Sequence, residues 1–255
     1  MKRKAGKKAT VRRGKTAWLT AAAVLFVFIL SFFVYAADFY RAEEDALSAL
    51  NSDELVTVEQ TEYGFWFDGP STDSALIFYP GGKVDEKAYA PLLHQIAAGG
   101  MDVCLVKMPF RLAVFGMNRA DEVMTRHDYQ NWYIGGHSLG GAIAADYASS
   151  HGNKLHGLVL LAAYPTKELD HELSLLSVYG TEDEVLQMKR YEKGKDDWPD
   201  SAHEFVIDGG NHAQFGSYGI QSGDGEASIP ASEQQALTAE QILVYFGIEE
   251  TDAAA

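Results

Sequence analysis

The spacing of hydrophobic and polar residues changes along the chain. An uncharged apolar run covers 17–37, and alternating apolar and polar residues follow at 55–60 and 63–68, which is typical of an antiparallel hairpin. Beyond 74, short apolar runs of the kind expected of strands buried on both faces alternate with helical segments. The runs lie at 75–79, 103–107, 132–135, 155–162, 175–179 and 204–207, and the helical segments at roughly 85–99, 112–126, 139–150, 184–193 and 231–246.

Strands alternating with helices predict an α/β fold with a mostly parallel, doubly wound sheet. With 47% hydrophobic residues, the 255 residues suffice for one core of roughly 200 residues beside an N-terminal segment. The connections between strands are short, so no large cap domain is expected. We predict a stalk over 38–54, a globular domain over 55–248 and a flexible tail over 249–255.

The N-terminal segment has the pattern of a membrane anchor. Residues 1–16 carry eight basic and no acidic side chains, and 17–37 are 21 residues without a charge. As a helix rising about 1.5 Å per residue, such a run covers a hydrocarbon core of roughly 30 Å, which predicts one transmembrane signal-anchor. The positive-inside rule places the basic segment in the cytoplasm and the rest outside. Cleavage after a signal peptide, giving a secreted domain, is the alternative, because 34–36 has small residues at suitable positions.

Charge and cysteine content limit the classes of molecule that the protein is expected to bind. After residue 16 the chain carries 13 basic and 36 acidic side chains, which argues against nucleic acid and predicts a small-molecule substrate. The single cysteine, Cys104, lies in an apolar run and is expected to pack as a small hydrophobic side chain. The loop 222–226 lacks the ligand spacing of a calcium loop, so we interpret it as a turn. Nothing in the sequence indicates an oligomeric state.

Residues 132–141 read as a strand that turns sharply into a helix with Ser138 at the apex. This is the pattern of a nucleophile elbow, in which the apex residue adopts a strained backbone conformation. Gly136 and Gly140 lie two positions to either side, where side chains would collide across the turn. Ser138 is therefore the candidate nucleophile. A glycine-rich turn with an incidental serine is the competing interpretation.

A serine nucleophile needs a base and a carboxylate that orients the base. In doubly wound hydrolases the chain order is serine, acid, histidine, each after a strand. Asp183 follows the strand 175–179 and His212 follows the strand 204–207. Glu182 and Glu184 are nearby substitutes for the acid, and Asp183 also fits a helix N-cap, a role that does not exclude catalysis. His212 also fits an exposed loop histidine, and His137 is expected to point away from the nucleophile.

Acyl transfer also needs donors for the oxyanion of the tetrahedral intermediate. One is expected to be the amide of Leu139. The second is expected in the loop 80–83, where consecutive glycines let the backbone turn its amides toward the site. We assign Gly82, with Lys83 as the close alternative. A plain tight turn is the competing interpretation.

The residues after the strand 103–107 suggest how a substrate is held. Phe110, Leu112 and Phe115 are candidates for the wall of an acyl pocket, although helix packing explains them equally well. Basic side chains also follow strand ends in a domain poor in positive charge, which is the basis for expecting a carboxylate on the substrate. Surface ion pairs are the alternative. The basic candidates are Lys83, Lys107 and Arg111.

The Gly-His-Ser-Leu-Gly-Gly motif, Asp183 and the segment Gly-Asn-His-Ala-Gln-Phe-Gly around His212 resemble the alpha/beta-hydrolase superfamily. Residues 79–85, 106–110 and 216–225 look like the bacterial alpha/beta hydrolase fold-5 group. The resemblance implies a serine hydrolase without metal or organic cofactor, and a triad of Ser138, Asp183 and His212.

One departure is Pro80-Gly81 in place of the commoner His-Gly, which leaves the second oxyanion donor less defined. The expected function is a membrane-anchored, extracytoplasmic serine hydrolase that cleaves ester or related acyl bonds. A non-catalytic binding protein with the same fold is the alternative.

Overall fold

The chain divides into an N-terminal helical unit and a domain that begins at Tyr40. The computed structural model describes residues 5–70 and 73–248. Helix α1 (Ala5–Ala37) includes the stretch Trp18–Ala37, whose mean hydropathy is 2.5. This stretch is long and apolar enough to cross a membrane, a property that signal sequences share. The predicted tail at 249–255 lies outside the described residues.

One eight-stranded sheet organises the domain, in the order β1-β2-β4-β3-β5-β6-β7-β8. β1 pairs with β2 and β2 with β4 antiparallel, and every pairing from β4 to β8 is parallel. The predicted hairpin and the mostly parallel sheet are confirmed. The strands are β1 (Thr57–Gln60), β2 (Gly64–Asp68), β3 (Ser74–Tyr79), β4 (Asp102–Val106), β5 (Asn131–His137), β6 (Gly157–Leu161), β7 (Ser174–Gly180) and β8 (His203–Ile207).

Helices cover the sheet on both faces, which are packed as two apolar clusters. Successive residues of a strand point to opposite faces, so Leu76 and Phe78 of β3 enter one cluster and Ala75 and Ile77 enter the other. α3 and α7 pack with the first cluster, and α5 packs with the second. The domain helices are α2 (Glu44–Ser48), α3 (Ala90–Ala98), α4 (Arg119–Met124), α5 (Leu139–His151), α6 (Met188–Gly194) and α7 (Ala231–Tyr245).

Two helices are shorter than predicted. The segment 112–126 forms a 3-10 turn, Ala113–Phe115, and then α4, with Gly116 between them. Glycine is a weak helix former, which accounts for a break at this position. The segment predicted at 184–193 is helical only from Met188. Upstream of it, two backbone amides bond to the Asp183 carboxylate, a local turn that competes with the helix.

The segment predicted as a stalk is bonded to the domain from Tyr40 onward. The Tyr40 amide donates to the carbonyl of Lys83 at 2.8 Å, and the Asp85 amide donates to the carbonyl of Tyr40 at 2.8 Å. The Glu43 amide donates to the carbonyl of Ser217 at 2.9 Å. These backbone bonds leave no signature in side-chain polarity, so the sequence pattern put the start of the domain too late.

Candidate active site

Ser138 occupies the turn between β5 and α5 with φ 51° and ψ −120°. A positive φ is uncommon for a residue with a side chain and persists only where the surroundings enforce it. A Cβ added to Gly136 would lie 2.5 Å from the Tyr79 carbonyl oxygen, and one added to Gly140 would lie 2.1 Å from the same atom. A Cβ on Gly136 would also lie 2.7 Å from the Gly140 carbonyl carbon, which is the predicted collision across the turn, whereas at Gly140 the backbone that excludes a side chain belongs to β3 and the loop after it.

His212 and Asp183 meet at the carboxyl ends of β7 and β8. The distance from His212 Nδ1 to Asp183 Oδ2 is 2.8 Å, and the two side chains are 2% and 0% exposed. Asp183 Oδ1 accepts the amides of Val185 and Leu186 at 2.9 and 2.7 Å. The carboxylate is thus held from both oxygens. His212 Nε2 is buried and makes no hydrogen bond within the described part of the chain, so it is the ring nitrogen left to exchange a proton.

The N-cap interpretation of Asp183 is wrong, because α6 starts at Met188 and its N-cap position is Gln187. The carboxylate instead closes a local turn and faces the imidazole of His212. Its substitutes Glu182 and Glu184 are exposed at the surface. Of the three acids in this loop, the structure brings Asp183 to the histidine.

The loop 222–226, interpreted as a turn from the sequence, braces the histidine. The Asp224 carboxylate accepts the backbone amides of His212 at 3.2 Å, Ala213 at 2.8 Å and Gly225 at 2.9 Å. A Cβ on Gly225 would lie 2.0 Å from the carbonyl oxygen of Glu182, so the brace also touches the acid loop. The sequence analysis interpreted this loop as a turn and missed the contribution of Asp224.

The loop after β3 lies against the start of α5. A Cβ on Gly82 would lie 2.8 Å from the Leu139 side chain. The Lys83 amide donates to the carbonyl of Arg111 at 2.9 Å, so it is already used. Neither the Gly82 nor the Leu139 amide donates a hydrogen bond within the described residues. Leu139 is the first residue of α5, where the amide has no acceptor within the helix. The geometry therefore favours Gly82 over Lys83 as an oxyanion donor.

The ring of His137, which was expected to point away from the nucleophile, lies beside the candidate base. The ring centroids of His137 and His212 are 4.5 Å apart with the planes inclined by 55°. His137 is 1% exposed, and burial lowers the pKa of its imidazole well below the usual range, with the charge of His212 lowering it further. The sequence showed only that His137 precedes Ser138, not which way its ring turns.

The predicted substrate residues occupy the loop after β4. Lys107, Phe110 and Arg111 line a cavity of about 400 Å³. Its charged lining consists of three basic side chains and two carboxylates. Leu112 is buried, whereas Phe110 is 45% exposed and contacts the ring of Phe115. The complete lining is Glu62, Glu86, Lys107, Met108, Pro109, Phe110, Arg111 and Arg119.

Lys83 is joined to this loop through its backbone bond to Arg111. No group of three or more His, Cys, Asp or Glu side chains among the described residues is arranged to hold a metal ion.

The sequence model of the alpha/beta hydrolase family matches residues 75–236. The chain belongs to this family. The match runs from β3 into the first turns of α7 and includes Ser138, Asp183 and His212. It confirms the resemblance drawn from the motifs, and the chain is accordingly an alpha/beta hydrolase. No curated protein matches the sequence.

Solved structures repeat the same fold at low identity. Naproxen esterase from Bacillus subtilis has a TM-score of 0.53 at 10% identity, covering 79% of this chain and 94% of its own. Est1E from Butyrivibrio proteoclasticus has a TM-score of 0.52 at 12% identity, covering 76% and 100%. A membrane phospholipase A, described as a bacterial virulence factor, has a TM-score of 0.55 at 12% identity, covering 94% and 98%. At such identities these likenesses establish the fold alone.

Proposed function

We propose that this alpha/beta hydrolase is a membrane-anchored serine hydrolase that cleaves carboxylic esters through Ser138, His212 and Asp183. The observation that carries the proposal is the buried 2.8 Å contact between His212 Nδ1 and the Asp183 carboxylate. The His212 ring also packs against His137, the residue that precedes the strained Ser138. A serine at such a turn, a histidine with one free nitrogen and a buried carboxylate are the parts that acyl transfer requires.

In the proposed reaction the Ser138 hydroxyl attacks the ester carbonyl and His212 Nε2 takes its proton. Asp183 holds the ring through Nδ1 and stabilises the imidazolium. The imidazolium then protonates the departing alcohol, which leaves an acyl-enzyme on Ser138. Water attacks the acyl carbonyl as His212 takes its proton, and the imidazolium returns that proton to the Ser138 oxygen as the carboxylic acid leaves. His212 Nε2 makes no hydrogen bond within the described residues. We therefore expect the contact between Nε2 and Ser138 to form as substrate binds.

The amides of Gly82 and Leu139 are the proposed donors to the oxyanion. They belong to neighbouring segments, and neither is bonded elsewhere in the described chain. Each such donor contributes roughly 10²- to 10³-fold in rate in serine hydrolases. The amide of Leu139 also opens a helix of 13 residues, whose dipole adds positive potential at this end.

The anchor and its orientation belong to the proposal as well. The stretch Trp18–Ala37 would span the bilayer, with the basic segment 1–16 in the cytoplasm and the catalytic domain outside. A tether to the bilayer raises the effective concentration of esters carried by that membrane. This reasoning supports lipid-like esters as candidate substrates. Protease protection of the domain in intact cells tests the orientation, and a shortened mature chain would reveal cleavage.

Ester hydrolysis by the full chain in detergent tests the activity. Short- and long-chain nitrophenyl esters and phospholipid in mixed micelles serve as substrates. We expect Ser138→Ala to lower kcat by at least about 10³-fold. Ser149→Ala is the matched control, because Ser149 lies on α5, the helix that follows Ser138, and its hydroxyl donates to the Asp146 carbonyl away from the site. Equal rates above the uncatalysed background for the wild type and Ser138→Ala would refute the role of Ser138, and no hydrolysis above that background by the wild type would favour a non-catalytic binding protein.

A further inference from the structure

The hydroxyl of Tyr89 lies between two parts of the candidate site. Tyr89 ends a 3-10 turn, Glu86–Tyr89, and is fully buried. The Gly81 amide donates to its oxygen at 3.0 Å, and the same oxygen is 2.8 Å from His137 Nδ1. A Cβ on Gly81 would lie 2.6 Å from the hydroxyl oxygen and 2.8 Å from Nδ1. Only glycine at 81 therefore lets the three groups meet.

Counting protons assigns the direction of these bonds. A tyrosine hydroxyl has one hydrogen, and His137 Nδ1 is the one acceptor that the described residues place beside it, so we assign this bond as donated by Tyr89 to Nδ1. His137 is then neutral and carries its own proton on Nε2. Burial raises the pKa of Tyr89 and lowers that of His137, so both groups keep these forms.

The ring of His137 in turn borders the candidate base. It lies 4.5 Å from the ring of His212 and 5.6 Å from that of Phe215. Asp183 fixes one edge of the His212 ring, and the His137 ring lies beside that ring. A neutral ring in this place adds no charge that would oppose the imidazolium formed at His212.

We propose that Tyr89 and His137 are positioning residues that couple the oxyanion loop to the base. Tyr89 holds the Gly81 amide and so sets the direction of the next peptide, which carries the Gly82 donor. Through the same hydroxyl it holds the His137 ring that borders His212. The proposal rests on the proposed function, because it concerns how the oxyanion donor and the base of that site are held in place relative to each other.

Tyr89→Phe removes the hydroxyl and keeps the ring. We expect kcat to fall by about 10-fold and KM to stay within about 2-fold, because the oxyanion forms only on the way to the transition state. The rate of phosphonylation by a fluorophosphonate should fall similarly. In that reaction the serine oxygen bonds to phosphorus, fluoride leaves and the proton passes to the base. The phosphoryl oxygen occupies the oxyanion site.

Tyr191→Phe is the matched control. Tyr191 is also fully buried, and its hydroxyl contacts Ser177 at 2.9 Å and Glu204 at 2.7 Å. All rates are expressed per folded molecule, so a loss of stability does not count as a loss of catalysis. The control should retain both rates.

His137→Phe completes the comparison, because it keeps a ring beside His212 but removes Nδ1. If the two residues act as a unit, the fold-loss in kcat of the double variant, Tyr89→Phe with His137→Phe, is smaller than the product of the two single fold-losses. No labelling of the wild type would refute the proposed function. Normal labelling of the wild type with unchanged rates in Tyr89→Phe would overturn the coupling alone. Equal losses in Tyr191→Phe, or multiplicative losses in the double variant, would also overturn it.

Discussion

The two ends of the sheet each hold a buried carboxylate, and the two carboxylates differ in their partners. At the carboxyl end, Asp183 accepts two backbone amides and contacts His212, a group that can become positively charged. At the amino end, Asp102 in β4 accepts the Gly69 amide and the Tyr129 hydroxyl, which are both neutral.

The consequence is visible in the ionisation of Asp102. Burial raises the pKa of its carboxyl to about 6, against the lowering effect of its two hydrogen bonds. One backbone amide and one hydroxyl do not replace the water lost on burial. A buried carboxylate such as Asp183 can serve catalysis because its partner becomes positively charged. A buried carboxylate with neutral partners, such as Asp102, is a structural group that destabilises the fold when it is ionised.

The largest expected difference between the two ends is catalytic. Asp183→Asn should lower kcat by roughly 10⁴-fold, because an amide no longer stabilises the imidazolium or selects the ring tautomer. Asp102→Asn, the matched change at the other end, should leave kcat within about 2-fold. Steady-state kinetics on one ester, with both variants shown to be folded, makes the comparison. Similar kcat values for the two variants would remove the distinction drawn between the sites.

A smaller difference is expected in stability. The folded-state pKa of Asp102 lies above its ordinary value of 3.8. The stabilising contribution of this group is therefore complete below about pH 4 and is lost as the pH rises through about 6. Asparagine imitates the protonated form, so the Tm of Asp102→Asn relative to wild type should rise between pH 5 and pH 8. Thermal unfolding at the two pH values measures it, and a constant or falling difference would contradict the role of burial.

The smallest expected effect is a substrate preference that the cavity after β4 produces. Its three basic side chains outnumber its two carboxylates, so a carboxylated ester should be hydrolysed faster than a neutral one of equal chain length. Lys107→Ala with Arg111→Ala should reduce that preference by roughly 3-fold, since partly exposed charges contribute little. Lys154→Ala is a control, because Lys154 pairs with Asp121 at the surface. A wild type that prefers neutral esters would refute this substrate class.

Much of the candidate site could be predicted because its members follow strand ends. A strand, a glycine-flanked serine and a fixed chain order identify Ser138, Asp183 and His212 without knowledge of packing. Parallel strands bring their carboxyl ends to one edge of the sheet, so loops separated by more than 70 residues could be placed together. These are properties of backbone topology, which hydrophobic periodicity records.

The side chains that brace the site could not be predicted. Tyr89 and His137 are 48 residues apart, and the hydroxyl reaches the ring from a buried 3-10 turn with no local motif. Asp224 is close to His212 in sequence, but its role depends on a loop that folds back onto backbone amides. Which way such side chains turn is decided by tertiary packing.

The helix boundaries show the same limit at a smaller scale. The break at Gly116 and the turn closed by Asp183 both override a helical pattern that the apolar spacing supported. In each case a single residue decides the outcome, through weak helix propensity at Gly116 and through a competing side-chain bond at Asp183.

The central claim is that Ser138 is a nucleophile activated by His212 and Asp183. Its most direct test is to treat the full chain with a fluorophosphonate and to locate the adduct by peptide mass spectrometry. The account predicts one stoichiometric adduct on Ser138, formed much more slowly in Asp183→Asn and at the wild-type rate in Asp102→Asn. An unmodified Ser138, or labelling of another residue that persists in Ser138→Ala, would contradict it.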